Sequence, residues 1–117
     1  MKLMTKELEK QFNDLTNYNA PTDEKMVIAR FFNPMGAGTW YATEYDAEQK
    51  LFFGYVSLFN DYNNEWGYFS LDELENIQLP FGMGIERDRF FTQDSIANVC
   101  ERDGTYYVLT ETQQTTV

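Results

Sequence analysis

The 117-residue chain contains no histidine and a single cysteine, Cys100. The first absence removes Ser-His-Asp and Cys-His nucleophile arrangements. Both together remove the common tetrahedral zinc sites. One cysteine cannot form an internal disulfide, so a reducing cytoplasm is the expected setting. Cys100 itself reads as a small buried apolar residue. Basic residues are also scarce, 9 against 19 acids, a formal net charge of -10. Such a surface repels nucleic-acid phosphates and anionic membranes, and suits solubility, a cation or a basic partner. Between Leu51 and Phe69 there is no Lys or Arg at all. Aromatic stacking of nucleic-acid bases needs basic neighbours, so direct nucleic-acid binding is not expected. There is no long apolar run, hence no expected signal peptide or membrane span.

Phosphate-cradling loops are missing too. Gly36-Ala37-Gly38 and Gly82-Met83-Gly84 stand alone, without a GxGxxG continuation or a P-loop lysine. Carboxylates are the remaining chemical groups. The candidates are Glu44, Glu65, Asp72, Glu73, Glu86 and Asp88, which could pair for acid–base work or hold a hard cation. Glu86-Arg87-Asp88-Arg89 alternates in charge and reads as a solvated or salt-bridged sheet edge. No cofactor is implied.

What the chain does have is aromatic bulk: 10 Phe, 8 Tyr and 2 Trp. That is enough to fill the core of a single domain, placed over 1–110. Residues 111–117 read as a flexible polar tail. Thr5 can cap a helix whose apolar face is Leu8, Phe12 and Leu15. Strands are predicted at Met26–Phe32, Thr39–Tyr45, Lys50–Phe59, Glu65–Phe69 and Ile85–Phe91. The short connections between them require antiparallel pairing. Ser70-Leu71-Asp72-Glu73 is a capping box, with Phe69 and Leu74 placed as a hydrophobic staple, so a short helix starts there and ends before Pro80. After Thr92 either a short helix or a hairpin about Asp103-Gly104 fits. The helix is preferred, followed by a strand over Thr105–Leu109. The expected class is α+β: an antiparallel sheet of four to five strands with an N-terminal helix and one or two short helices packed on it.

A turn centred on Ala47-Glu48 would place Glu44 opposite Leu51 and Trp40 opposite Tyr55. A turn centred on Tyr62 would place Phe69 opposite Tyr55 and Glu65 opposite Phe59. One face would then carry Trp40, Leu51, Phe53, Tyr55, Phe59 and Phe69 beneath the helices. The other would carry Tyr41, Tyr45, Phe52, Val56, Leu58, Trp66 and Tyr68. Left uncovered, that second face would form an interaction surface, with Tyr41, Tyr45, Trp66 and Tyr68 its candidate contacts, for a protein partner or a second copy of the chain. The same register puts Glu44 and Glu65 on the order of 25 Å apart, too far for one dyad. Gly54 and Gly67, inside strands, mark a bulge or the close approach of a bulky neighbour.

Trp40-Tyr41-Ala42-Thr43-Glu44-Tyr45-Asp46, Phe52-Phe53-Gly54-Tyr55, Glu65-Trp66-Gly67-Tyr68-Phe69-Ser70 and Ile85-Glu86-Arg87-Asp88 follow one another in order. Taken together they resemble the uncharacterised bacterial family called domain of unknown function 2958. The likeness covers about Lys2 to Asp94, and the stretch after Asp94 has no recognised counterpart. The resemblance implies a small standalone protein, often carried by plasmids, phages or integrated elements, with no established activity. It marks Trp40, Tyr41, Glu44, Phe53, Gly54, Glu65, Gly67, Tyr68, Phe69, Glu86 and Asp88 as recurrent positions. The functional expectation is a non-enzymatic protein-binding module. The alternatives are a carboxylate-based enzyme or cation site, and a DNA mimic acting on restriction or CRISPR machinery. Ten surplus charges would match only ~17 Å of duplex, at one charge per ~1.7 Å.

Overall fold

A computed structural model describes residues 2–14, 17 and 19–109. The expected tail at 111–117 and the expected contribution of Leu15 to the first helix lie outside the described residues.

Helix α1 (Lys6–Asp14) starts where the Leu8 amide donates to Thr5 Oγ1. Its apolar stripe buries Leu8 and Phe12. Five strands then build the main sheet: β2 (Ala29–Phe32), β3 (Thr39–Asp46), β4 (Leu51–Ser57), β5 (Glu65–Ser70) and, returning late in the chain, β6 (Glu86–Arg87). Their spatial order is β5-β4-β3-β2-β6, all antiparallel. The predicted strand at Met26–Phe32 breaks at Ile28. Its first part, β1 (Met26–Val27), leaves the main sheet and pairs with β7 (Asp94–Ser95). Helix α2 (Leu71–Asn76) begins at Ser70, whose Oγ accepts from the Glu73 amide as the capping box requires. Helix α3 (Ile96–Asp103) is capped in the same way by Ser95 and stopped by Gly104 in the left-handed region. The alternative hairpin about Asp103-Gly104 therefore does not form.

The observed register departs from the expected one. Trp40 faces Val56, not Tyr55, and Phe69 faces Phe52, not Tyr55. The first turn is centred one residue later than predicted. Asp46 pairs with Leu51, its carboxylate accepts from the Glu48 and Gln49 amides, and Lys50 takes a left-handed φ of 53°. The second turn is longer and shifts the pairing by an odd number of residues. An odd shift exchanges the two faces of a strand.

A β-bulge adds a further change. Pairing runs from Thr39 to Ala42, skips Thr43, and resumes at Glu44 opposite Phe53. The bulge inverts the alternation within β3. Tyr41 and Tyr45, four positions apart, consequently lie on opposite faces.

The first face buries Phe31, Ala42, Tyr45, Phe52 and Phe69 under α1, α2 and the N-terminal Leu3 and Met4. Ring contacts tie this core together, among them Tyr45–Phe52 at 4.7 Å and Phe52–Phe69 at 5.3 Å. On the second face a smaller core joins Tyr41 and Tyr55 to Ile96, Val99 and Cys100 of α3. That face is thus covered at its α3 end and not left bare. The predicted strand at Thr105–Leu109 is also absent. The segment is held by side chains instead of a ladder. The Tyr106 amide donates to Asn60 Oδ1, and its carbonyl accepts from Tyr55 Oη–H and Asn64 Nδ2. At the other edge only Glu86 and Arg87 are strand, less than the predicted Ile85–Phe91, because Asp88 folds back to accept from the Phe90 amide.

Burial in the second core has a measurable consequence. It pushes the Cys100 thiol from 9.0 up to about 12, with the Asp103 charge adding to the effect. Burial also pushes the Tyr55 phenol from 10.0 up to about 12. An acid whose pKa is raised by folding holds its proton more tightly when folded. The stabilisation is complete below the unfolded pKa and is lost as pH rises through the folded one. Unfolding midpoints in urea should therefore stay level to about pH 9 and fall steadily towards pH 12. In step with this, a thiol reagent at pH 8 should label Cys100 only after unfolding. A midpoint unchanged at pH 11, or prompt labelling of the folded protein, would contradict this account of the core.

Candidate functional site

The sheet has two edges, and they differ. β6 is two residues long and tied down: the Asp88 amide donates to the Arg30 carbonyl, and Arg30 Nη1 reaches the Asp88 carboxylate at 3.5 Å. Such short, charged edges resist further pairing. β5, at the opposite side, is six residues of regular strand, bonded to β4 on one side and to no other strand among the described residues. It contains no Pro, Lys, Arg or bulge.

Three concavities open around β5. On the first face Gly67 leaves a trough: a methyl group placed there would meet no atom within 4 Å. Trp40, Val56, Phe69 and Phe59 are among its apolar lining, with Asp61 and Glu65 beside them, and the cavity measures about 580 Å³. On the second face a cavity of about 410 Å³ lies between Tyr68, Phe53, Leu51 and the carboxylates of Glu44 and Asp46. A third, about 320 Å³, lies against Trp66, Tyr62 and Tyr107. Phe59, Tyr62 and Tyr68 stand 76%, 79% and 72% exposed around the strand. Exposed aromatics gathered about one edge are characteristic of contact surfaces.

An aromatic row braces the site from behind. Phe53 stacks on Trp66 at 5.6 Å and meets Tyr68 edge-on at 5.0 Å; Tyr55 and Tyr107 close the row edge-on at 5.0 Å. Trp66 Nε1 is buried here without a hydrogen-bond partner among the described residues. Beneath Phe53 lies a buried ion pair. Lys25 Nζ donates at 2.7 Å to both Glu44 Oε1 and the Asn17 carbonyl, and Thr43 Oγ1 donates to Glu44 Oε2. Asn17 ties the same loop to β1 and β3, its Nδ2 donating to the Met26 and Thr43 carbonyls.

Acids predominate around β5, with Lys50 a basic neighbour at the end of the strand, 4.0 Å from the Asp72 carboxylate. From Leu51 to Glu86 the only charged residues are Asp61, Glu65, Asp72, Glu73, Glu75 and Glu86. Asp61 and Glu65 lie at the start of β5, and Asp72 and Glu73 open α2 directly after its end.

The residues singled out from the sequence are distributed unevenly over this arrangement. Tyr68 is exposed on the open edge and Trp66 is half-buried beside it. Tyr41 and Tyr45 are buried and offer no surface. Tyr41 lies under α3, its hydroxyl donating to Asp103 at 2.9 Å, and Tyr45 was turned into the main core by the bulge at Thr43. Glu65 rims the trough, Glu44 is ion-paired in the interior, and Glu86 and Asp88 lie at the far edge. Glu44 pairs with Phe53 and Glu65 with Val56, so they lie on opposite faces, about 10 Å apart along the strand direction and not 25 Å. They still share no site. Among the described residues no group of three or more His, Cys, Asp or Glu is placed to hold a metal ion. The positions that sequence reasoning missed are Phe59 and Tyr62, assigned to strand end and turn, and Gly67 as the floor of a trough. The in-strand glycine was a usable signal, but it does not say which face lies open.

Sheet, caps and open edge together define a small α+β protein built on a five-stranded antiparallel sheet. The chain belongs to the family described as protein of unknown function (DUF2958), whose model matches residues 3–102. The match runs past Asp94 through most of α3, so the family pattern does not stop where the sequence resemblance placed its end. No curated protein and no solved structure matches the chain. No helix among the described residues is long and apolar enough to cross a membrane.

Proposed function

We propose that the chain is a non-enzymatic protein-binding module whose contact surface is the β5 edge. The observation that carries this reading is that three concavities each take part of their lining from β5, and that the exposed Phe59, Tyr62 and Tyr68 gather about this strand, whose outer edge pairs with no other strand among the described residues. The carboxylates, by contrast, are spread over both edges and the interior, which gives acid–base chemistry no common locus. A cytoplasmic accessory role in a plasmid, phage or integrated element is in keeping with the resemblance described above and with a lone buried thiol.

The test is site-specific photo-crosslinking in a bacterial host. A crosslinking amino acid replaces Phe59 or Tyr68 at the β5 edge, or Phe90 at the far edge, where it is 94% exposed. Discrete adducts from positions 59 and 68, absent from position 90, are expected. Equal adducts from all three positions, or none from the β5 positions, would refute the assignment.

A further inference from the structure

We propose that the β5 edge accepts an extended basic segment of its partner as a sixth, antiparallel strand, with one apolar side chain seated in the trough above Gly67. This rests on the protein-binding reading and specifies its chemistry.

The backbone supplies the first part of the argument. An edge strand presents a row of N–H and C=O groups with no partner in the sheet, and main-chain pairing with an added strand satisfies them. Natural sheets block such edges with Lys, Pro, bulges or extreme shortness. β6 uses shortness and charge; β5 uses none of these over its six residues.

The side chains supply the second part. An added strand places alternate residues on alternate faces. The residue opposite Gly67 points over the trough, where nothing stands within 4 Å of the missing methyl and where Trp40, Val56 and Phe69 form part of the lining. A leucine or valine there would bury apolar surface without displacing any side chain.

Charge chooses the occupant. Asp61 and Glu65 stand at one end of β5, Asp72 and Glu73 at the other, where Lys50 lies 4.0 Å from Asp72 and leaves the acids in excess, and no Lys or Arg occurs between Leu51 and Glu86. At ~3.4 Å per residue, six residues cover ~20 Å, so the fitting segment has an apolar centre and a basic residue towards each end. A second copy of this chain would bring the same acids against one another, and like charges across an interface are costly.

The test uses the full chain and synthetic nine-residue peptides. One has lysines near both ends and a central leucine. One replaces the lysines with glutamates. One carries N-methyl groups on alternate amides, which removes strand pairing while keeping charge. Binding is read by fluorescence anisotropy, and the amides of β5 by hydrogen exchange. The basic peptide should bind, weaken at least tenfold between 50 and 500 mM salt, and slow exchange at β5. The glutamate and N-methyl peptides should each bind at least tenfold more weakly. Gly67→Leu, which fills the trough from within, should cost the basic peptide at least tenfold while leaving the circular dichroism spectrum unchanged. Equal binding of the glutamate or N-methyl peptide, or full binding by a folded Gly67→Leu variant, overturns the proposal. So does a dimer in sedimentation that Gly67→Leu dissociates, since the edge then takes a second copy. β5 crosslinks without any peptide binding would sink the strand-addition model alone; absence of both would sink the protein-binding reading with it.

Discussion

Replacing Gly54 with alanine is expected to remove most of the protein's stability. A methyl group at this position would lie 1.9 Å from the Tyr41 carbonyl oxygen, 2.8 Å from its carbon and 3.0 Å from Ala42 Cα. All three are main-chain atoms of β3, so no rotamer change relieves the clash. The strands would have to separate where Ala42 pairs with Gly54, the last pair before the bulge. Overpacking of this kind ordinarily costs 1–3 kcal/mol. A contact this short against backbone, at the centre of the sheet, should reach on the order of 4 kcal/mol or more. Domains of this size are stable by only about 5–15 kcal/mol. Gly67→Ala is the control, because that methyl meets nothing within 4 Å. In urea titrations Gly54→Ala should lose most of the wild-type midpoint while Gly67→Ala stays within about 0.5 kcal/mol. Equal midpoints for the two variants would show that β3 does not press on Gly54.

The second large effect should follow from Lys25→Met. The Lys25 and Glu44 side chains are 11% and 10% exposed, so each charge depends on the other. Without the ammonium group, Glu44 keeps the Thr43 hydroxyl as its hydrogen-bond partner among the described residues, and the Asn17 carbonyl loses a donor. Breaking one side of a buried pair typically costs about 3–5 kcal/mol, whereas replacing both members by apolar groups of similar volume is often neutral. Lys25→Met alone should therefore be strongly destabilising, and Lys25→Met with Glu44→Leu should recover most of the loss. A double-mutant cycle in urea measures the coupling, expected at about 2 kcal/mol or more. If the double variant is as unstable as the sum of the singles, the pair is not the source of the effect.

Much of the local structure was readable because the signals are local. Thr5 and Ser70 cap helices through hydroxyl oxygens that accept from an amide three residues on, a pattern fixed by helix geometry alone. Strand positions followed from β-branched and aromatic runs. Register did not, since it depends on turn centres and on the Thr43 bulge, and alternation of side chains is the same on either side of a one-residue slip. Reading Tyr41 and Tyr45 as neighbours on one face was the direct result. Thr105–Leu109 has strand composition, yet Asn60, Asn64 and Tyr55 engage Tyr106 before any ladder can. Of the site, the in-strand glycines and the acidic, lysine-free stretch were visible in advance. Which faces of Gly54 and Gly67 are crowded and which are open depends on strands distant in sequence.

The position of α3 has a consequence for the order of assembly. Everything needed for the first core except Ile85 lies within the segment that ends at α2 and the turn after it. The second core instead waits for Ile96, Val99 and Cys100, and the Tyr41 hydroxyl for Asp103 and Thr105. During synthesis from the N-terminus, the sheet can therefore assemble on one side while Tyr41 and Tyr55 stay solvated, until the final quarter of the chain leaves the ribosome. For that interval the protein has a second sticky surface, which the finished molecule seals and β5 then keeps in smaller, permanent form.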